Sequence, residues 1–558
     1  MKKILYVYNE GDFHISESAG RLIGDDLAAD GRYELEMTTD LDAFAALPRG
    51  DYAAVVVYTT GCRDELRGAR EAGLLRFVEA GGGFVGLHAA ADSFRGSRPY
   101  LEMLGGEFLS HPAHHEFTVR ILEGGHYITR RIRDFPVFDE LYRLQGFDPE
   151  RCTVLADAGF RNERHPVVHV REHGRGRVAY LANGHTMQAW RTRAFRKLVT
   201  RAIAWTAGAD AEEKTLRCGL LGYGPNHNMG RNHYGWLNQV PGLRPVAMCD
   251  IDCGRVEVAR QECPGLELYA TSSEEMLAHG NLDLVVVILP HSLHEQAALQ
   301  CLDAGAHVVI EKPFCLNVEE ADRIVGRARE SGLSVSVFHN RRWDADYLTI
   351  RDVIDRGLIG AVFHVECAQD GYGHPGPTWR SDKAVSGGVL YDWGAHFLDW
   401  ILNLVPGKIA QVTGTRHDLV WHGVTNEDYM KVGLRFENGV TAEFVSSRIS
   451  ALPQPKWRIL GTLGGLEAGA AREELRLVSY ASGVRHEGVV QVSPRMESWI
   501  SYYRELADHL LLGEPNPVTP EQARRVIGVI QAAEVSAERG ASPHSSPRRI
   551  DTGWYLWY

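Results

Sequence analysis

Between residues 387 and 400 the chain reads GGVLYDWGAHFLDW, an apolar stretch that carries Asp392, His396 and Asp399. On a helix, Asp392 and His396, four residues apart, share a face, and Asp399 lies near the same stripe. A carboxylate beside an imidazole suits proton transfer, because histidine titrates near neutral pH. The apolar neighbours would pack such a helix while one turn presents an acid and a base to a ligand. Lys312 is a further candidate: it ends the strand-like run AHVVIEKP (306–313) just before a proline.

A glycine turn, GLLGYGPNHNMGRNH (219–233), supplies another kind of chemistry. Gly222 and Gly224 follow a strand directly, and the next candidate is Gly230, so the spacing is G-x-G-x5-G rather than G-x-G-x-x-G. Glycines let the backbone approach a pyrophosphate at a helix N-terminus, and Asp250, at the end of the second strand, would accept the ribose hydroxyls. An acid at that position repels a 2′-phosphate, so the reading favours NAD over NADP.

Two successive α/β units must position these residues. In residues 1–208, KKILYVY (2–8), YAAVVVY (52–58), GGFVGLH (82–88) and RVAYLANGH (177–185) are strand candidates. The runs at 52–58 and 82–88 are continuously apolar, as parallel strands covered on both faces should be. ADAEEK (209–214) is a polar linker, and the pattern restarts at 215 with strands at 215–224, 243–250, 282–290, 306–313 and 333–340. That is a second doubly wound unit, a Rossmann-type domain over 215–340. From 341 to 558, AVFHVECAQ, AQVTGTRHD, DYMKVGLRF, TAEFVSSRI, KWRILGTLG and EELRLVSY predict a large antiparallel sheet, followed by helices at 495–512 and 519–539.

Composition excludes other classes. The 558 residues are 44% hydrophobic and 24% charged, an ordinary globular balance. A net charge of −12 gives nucleic acid or an anionic membrane no electrostatic reason to bind. No apolar run approaches the roughly 20 residues of a membrane span, and the opening MKKILYVYNEGDFH is too short for a signal peptide and reads as a first buried strand. The nine cysteines are scattered without a C-x-x-C pair, which predicts free thiols in a reducing cytoplasm.

On the glycine turn with His233 after it, LPHSLHEQAALQCLDAGAHVVIEKP, FHNRRW and SGGVLYDWGAHFLDW, residues 215 to about 540 resemble the Gfo/Idh/MocA family of NAD(P)-dependent oxidoreductases. The departures are the longer glycine loop and Ser386, where many members carry a third glycine. The resemblance implies a catalytic Lys312 and an Asp392/His396 pair. It also implies cofactor contacts from Gly222, Gly224, Gly230, His233, Asp250, Pro290, His294, Glu311 and Lys312, and substrate contacts from Arg341, Asp392 and His396. Trp379 and Arg380, in GYGHPGPTWRSD (371–382), line the sugar pocket or belong to a loop that simply covers the sheet. Alcohol oxidation fits the set: His396 takes the hydroxyl proton while hydride leaves, and Lys312 hydrogen-bonds the same oxygen. The family also implies a homo-oligomer formed through the C-terminal sheet. One alternative is glycoside cleavage with retained NAD, by transient oxidation, elimination and re-reduction. Another is a sugar sensor without turnover, in which Lys312, Asp392 and His396 would have no purpose.

Residues 1–208 resemble ThuA-like (trehalose utilisation) domains, related in their flavodoxin-like fold to class I glutamine amidotransferases, through GGGFVGLHAAADSF, FDELYRLQ and GRGRVAYLANGH. An amidotransferase needs a cysteine at the turn after the central strand, where this chain has Leu87, His88 and Ala89. The remaining candidates are His88, Asp92, His111, His114, His115, Glu116 and His185. With no compact metal-binding spacing among them, the reading is hydrogen-bonding groups in a sugar-sized cleft and no metal, with zinc as the alternative. The fusion predicts that His88, His115 and His185 bind or transform a keto product, whose effective concentration a shared chain raises.

Overall fold

The computed structural model describes residues 1–9, 14–62, 64–210, 214–468, 473–480, 483–492 and 499–539. The chain forms two compact units, one of residues 1–213 with Leu511–Pro515, the other of Lys214–Leu510 continued from Asn516. Residues 211–213 of the expected linker and 495–498 of an expected helix lie outside the described residues.

The first unit is built on a nine-stranded mixed sheet. Its parallel part runs, in spatial order, Tyr33–Thr38, Lys2–Tyr8, Tyr52–Tyr58, Gly83–Leu87 and Gly176–Leu181. The continuous apolar runs are explained by burial on both faces. Ile4, Tyr6, Ala54 and Val56 enter one core, and Leu5, Val7, Val55 and Val57 the other. Helices Ser16–Asp30 and Arg193–Thr206 cover the first core with Ile23, Leu27, Leu198 and Ile203, whereas Ala69–Glu79 covers the second with Leu74, Phe77 and Val78. Antiparallel strands Glu163–His173, Thr153–Phe160, His115–Ile121 and Phe135–Asp139 extend the sheet. The expected strand at 177–185 stops at Leu181. Beyond it, Asp139 accepts hydrogen bonds from the Gly184 and Thr186 amides (2.6 and 3.1 Å) and draws the chain into a loop.

The second unit opens with six parallel strands in the order Leu268–Ala270, Leu243–Cys249, Leu216–Leu221, Leu284–Val287, His307–Ile310, Val335–Val337. The order reverses between Leu216–Leu221 and Leu284–Val287, and ligands of such sheets bind beyond the carboxyl ends at that point. An eight-stranded sheet follows, ordered Ile409–His417, Tyr429–Phe436, Thr441–Ser447, Val362–Gln369, Trp457–Gly461, Gly464–Ala468, Glu474–Ser479, His486–Gln491. One pair departs from the antiparallel expectation. Val362–Gln369 and Thr441–Ser447 run parallel, because the intervening helices and hairpin supply the long crossover that a parallel pair needs. Aromatic stacking among Phe397, Trp400, Phe444 and Trp457 fixes helix Ala395–Leu404 to this sheet. Helix Pro520–Glu538 starts with a Thr519/Gln522 capping box and a proline at its first turn.

Candidate active site

The sequence candidates of the second unit emerge where the parallel strands end. Gly222 follows Leu221 with a φ of 108°, and a Cβ there would lie 2.2 Å from the Ile288 carbonyl oxygen, so only glycine fits. Gly224 has nothing within 4 Å of its would-be Cβ and leaves room for a ligand to meet the backbone. Gly230 does something different: it lies in the first turn of helix Met229–Asn238, where a Cβ would strike the Tyr223 ring at 2.5 Å. The long loop thus ends with a packing glycine. Asn228, left-handed at the helix start, makes no side-chain cap, so first-turn amides remain available to an anion. Asp250 accepts from the Tyr223 amide (2.7 Å) and the Asp252 amide (3.0 Å), which fixes the carboxylate beside the glycine turn.

The Asp392/His396 segment is a π-helical turn, Leu390–Gly394, that runs into the α-helix at Ala395. Such single wide turns recur at functional sites. Lys312 donates to Asp392 Oδ1 (2.6 Å) and to its main-chain oxygen (3.1 Å), and Arg380 donates to the same Oδ1 (2.9 Å). Burial alone would raise the Asp392 carboxyl, but the Lys312 and Arg380 cations hold it well below the usual carboxylate range. His396 is buried, and its Nδ1 has no hydrogen-bond partner among the described residues. Burial, then the charges of Lys312 and Arg341, keep that imidazole neutral, far below its ordinary pKa. One turn therefore carries an ionised acid locked to two cations and a neutral base with a free nitrogen.

Asp399 does not join this group. It forms a buried two-pronged pair with Arg342 (2.6 and 2.8 Å). Arg341 pairs with Asp344 (2.9 Å) and lies over the Trp393 ring at 4.7 Å, beside the His396 turn. Arg380 covers the Trp379 ring at 4.6 Å, so the loop at 371–382 delivers one side chain to Asp392 and another alongside it. His233 is enclosed, with Nδ1 2.6 Å from the Tyr503 hydroxyl and Nε2 3.0 Å from Glu311, whose other oxygen accepts the Lys312 amide. These two residues orient the strand end that carries Lys312. His294 braces the turn at Pro290, with its ring nitrogens against the Leu289 and Pro313 carbonyls. His291 escaped the sequence reading although it lies in the same PHSLH motif. It donates from Nδ1 to the Ser386 carbonyl (2.7 Å) and meets the edge of Trp379.

In the first unit, His88 and His185 come together, joined by two residues the sequence reading left out, His14 and Glu140. Glu140 lies in the quoted FDELYRLQ, and His14 follows the first strand. Asp92 pairs instead with Arg95 (2.5 Å). His115 sits against Phe117 and Phe160, outside the cluster. Cys62, with its thiol pushed up to about 11 by burial and by Glu65, is not a ready nucleophile.

Fold and site together define a Rossmann-type oxidoreductase joined to a second α/β unit. Residues 216–339 match the oxidoreductase family with an NAD-binding Rossmann fold, 347–467 the Gfo/Idh/MocA C-terminal domain, and 3–206 the trehalose utilisation (ThuA) family. The scyllo-inositol 2-dehydrogenase (NADP(+)) IolW of Bacillus subtilis is 30% identical over 347 residues, which cover 58% of this chain and 94% of that protein. The scyllo-inositol 2-dehydrogenase (NAD(+)) of the same organism is 25% identical, covering 61% of this chain and 99% of its own length. Among solved structures, an NAD-binding protein from Listeria innocua aligns with a TM-score of 0.53 at 28% identity, covering 58% of this chain and 96% of that one. This chain belongs to the Gfo/Idh/MocA family of oxidoreductases and carries a ThuA domain on its N-terminal side. No helix among the described residues is long and apolar enough to cross a membrane.

Proposed function

We propose that the chain oxidises a secondary hydroxyl, or reduces the corresponding keto group, of a sugar, glycoside or cyclitol. The observation that carries this reading is Lys312 and Arg380 converging on Asp392, one turn before the neutral, buried His396. Lys312, fixed by Asp392, offers its ammonium to the substrate oxygen, and His396 holds or returns the hydroxyl proton. General-base help of this kind contributes about 10²–10⁴ in rate. The nicotinamide, when bound, supplies the hydride acceptor or donor. Gly222, Gly224 and the amides after Asn228 would hold its pyrophosphate, and Asp250 its ribose. Asp250 supports NAD over NADP, since a fixed carboxylate repels a 2′-phosphate. Relatives named as inositol dehydrogenases support a polyol substrate.

The domains in this reading are 1–208, 215–340 and 341–558, and the last also makes a homo-oligomer through its sheet, where Phe363 and Val489 stay about half exposed (48% and 56%). The ThuA unit handles the same sugar or its keto product. The test is purified full-length protein with NAD or NADP and a panel of inositols and glycosides, followed by absorbance of the reduced nicotinamide. Substrate-dependent reduction, faster with NAD, is expected. Glycoside cleavage with bound nicotinamide and no net reduction would replace this reading with the retained-cofactor one.

A further inference from the structure

We propose that the N-terminal unit holds a divalent transition-metal ion of the zinc class on His14, His88, His185 and Glu140. One ligand atom from each lies within 4.8 Å of all the others, on residues drawn from four separate loops and strand ends. Three of the nitrogens that face one another, His14 Nε2, His88 Nε2 and His185 Nδ1, are buried and lack any hydrogen-bond partner among the described residues. Buried polar atoms are seldom left so, and three converging on one carboxylate call for a shared partner.

The rest of each residue is arranged as metal ligands are. His88 donates Nδ1–H to the Ala182 carbonyl (2.7 Å), which leaves Nε2 as a bare lone pair. Thr60 Oγ1, 2.7 Å from His14 Nδ1, can accept that ring's proton in the same way. Glu140 divides its oxygens. Oε1 accepts from His114 Nε2 at 2.9 Å and has His111 Nε2 at 3.4 Å. Oε2 faces the cluster, 3.2 Å from His185 Nδ1 and 3.4 Å from His88 Nε2, without forming an aligned hydrogen bond to either. His88 is held at φ 41°, a left-handed conformation that costs a non-glycine residue energy and persists at functional sites. Asp139 and the hydroxyl of Tyr58 pin the loop that carries His185, through the Gly184 amide and carbonyl.

Three imidazoles and a carboxylate favour zinc, cobalt, nickel or iron over magnesium or calcium, which prefer oxygen alone. Zinc bonds of about 2.0–2.1 Å in a tetrahedron place donors roughly 3.4 Å apart, so the rings need draw in only by about 1 Å or less. The site is open on one side. His88 forms the floor with no exposed surface, whereas His185, His111 and His114 are 20, 35 and 40% exposed. A ligand on the ion would enter past these rings. All four ligands belong to this unit, and the ion is independent of the redox chemistry proposed for the other.

The test uses tag-free full-length protein, stripped with a chelator, dialysed, and titrated with zinc or cobalt(II). Bound metal is read by mass spectrometry, and cobalt by its visible ligand-field absorption. About one ion per chain is expected, with affinity lowered at least a hundredfold in both His88→Ala and His185→Gln. His115→Ala, outside the cluster, should bind as the wild type does. His185→Gln changes a partly exposed side chain and keeps the test sound if His88→Ala fails to fold. Stoichiometry below a tenth of an ion per wild-type chain, or binding that survives both cluster substitutions, would overturn the proposal.

Discussion

The two polar clusters of this chain stand in similar places, beyond the ends of parallel strands, yet they satisfy themselves in opposite ways. Around Asp392 the charges answer one another: Lys312 and Arg380 share one carboxylate oxygen, and a nitrogen of neutral His396 is the member left without a partner among the described residues. Around Glu140 three imidazole nitrogens point inward without an aligned hydrogen bond among the described residues. A site complete in its charges is prepared for a neutral ligand that brings its own reacting bond. A site with surplus lone pairs is prepared for a cation. The difference supports the proposed hydride chemistry in the second unit and the proposed metal site in the first.

The largest expected effect tests the free nitrogen. His396→Ala should lower kcat about 10²–10⁴-fold, with nicotinamide binding, read by fluorescence quenching, nearly unchanged. Unaltered turnover would remove the base from the account and blur the contrast with the first unit. Next is the buried pair that carries the same helix: Asp399→Asn strips Arg342 of its counter-charge, and breaking such a pair costs about 3–5 kcal/mol. Chemical unfolding should show this loss, whereas little change would mean that water reaches Arg342.

Acid should affect both units through buried histidines, His169 in the first and His339, whose ring faces His396, in the second. Burial lowers His169 and His339 to about 4, against an ordinary 6.5. Between these values the unfolded chain binds protons that the folded chain refuses, so stability falls as pH drops from about 6.5 to 4, by of order 2–3 kcal/mol for each residue. His169→Gln and His339→Gln should each flatten that decline. An unchanged slope in either variant would show that its imidazole is not the group being titrated.

The smallest effect sharpens the comparison most. In metal-free protein, His185→Gln removes an unsatisfied nitrogen and should change stability by less than about 1 kcal/mol. With zinc present, the wild type should gain in melting temperature by mass action and the variant should not. Equal gains in both proteins would place the ion elsewhere.

The second unit was legible in the sequence because its chemistry lies in short motifs. Lys312 lies just beyond a strand, Asp392 and His396 are four residues apart, and Gly222 follows a strand where nothing larger fits. Local spacing did not assign Asp399 to Arg342, a partner 57 residues earlier. Nor did it show that Gly230 packs closely against the Tyr223 ring. The first unit was legible in its parallel strands, whose burial on both faces writes continuous apolar runs. Its cluster was not, because His14, His88, Glu140 and His185 come from widely separated turns and only the fold brings them within 4.8 Å. Histidine density at 111–115 drew attention to His115, which packs against two phenylalanines instead.

In the proposed reaction Lys312, held by Asp392, works on the substrate oxygen during hydride transfer. Lys312→Met in the full-length protein tests it most directly, with single-turnover nicotinamide reduction and NAD affinity measured on the same preparation. The predicted result is a rate lowered at least a hundredfold, with NAD affinity changed by no more than about threefold. Reduction at the wild-type rate in a folded variant would contradict it.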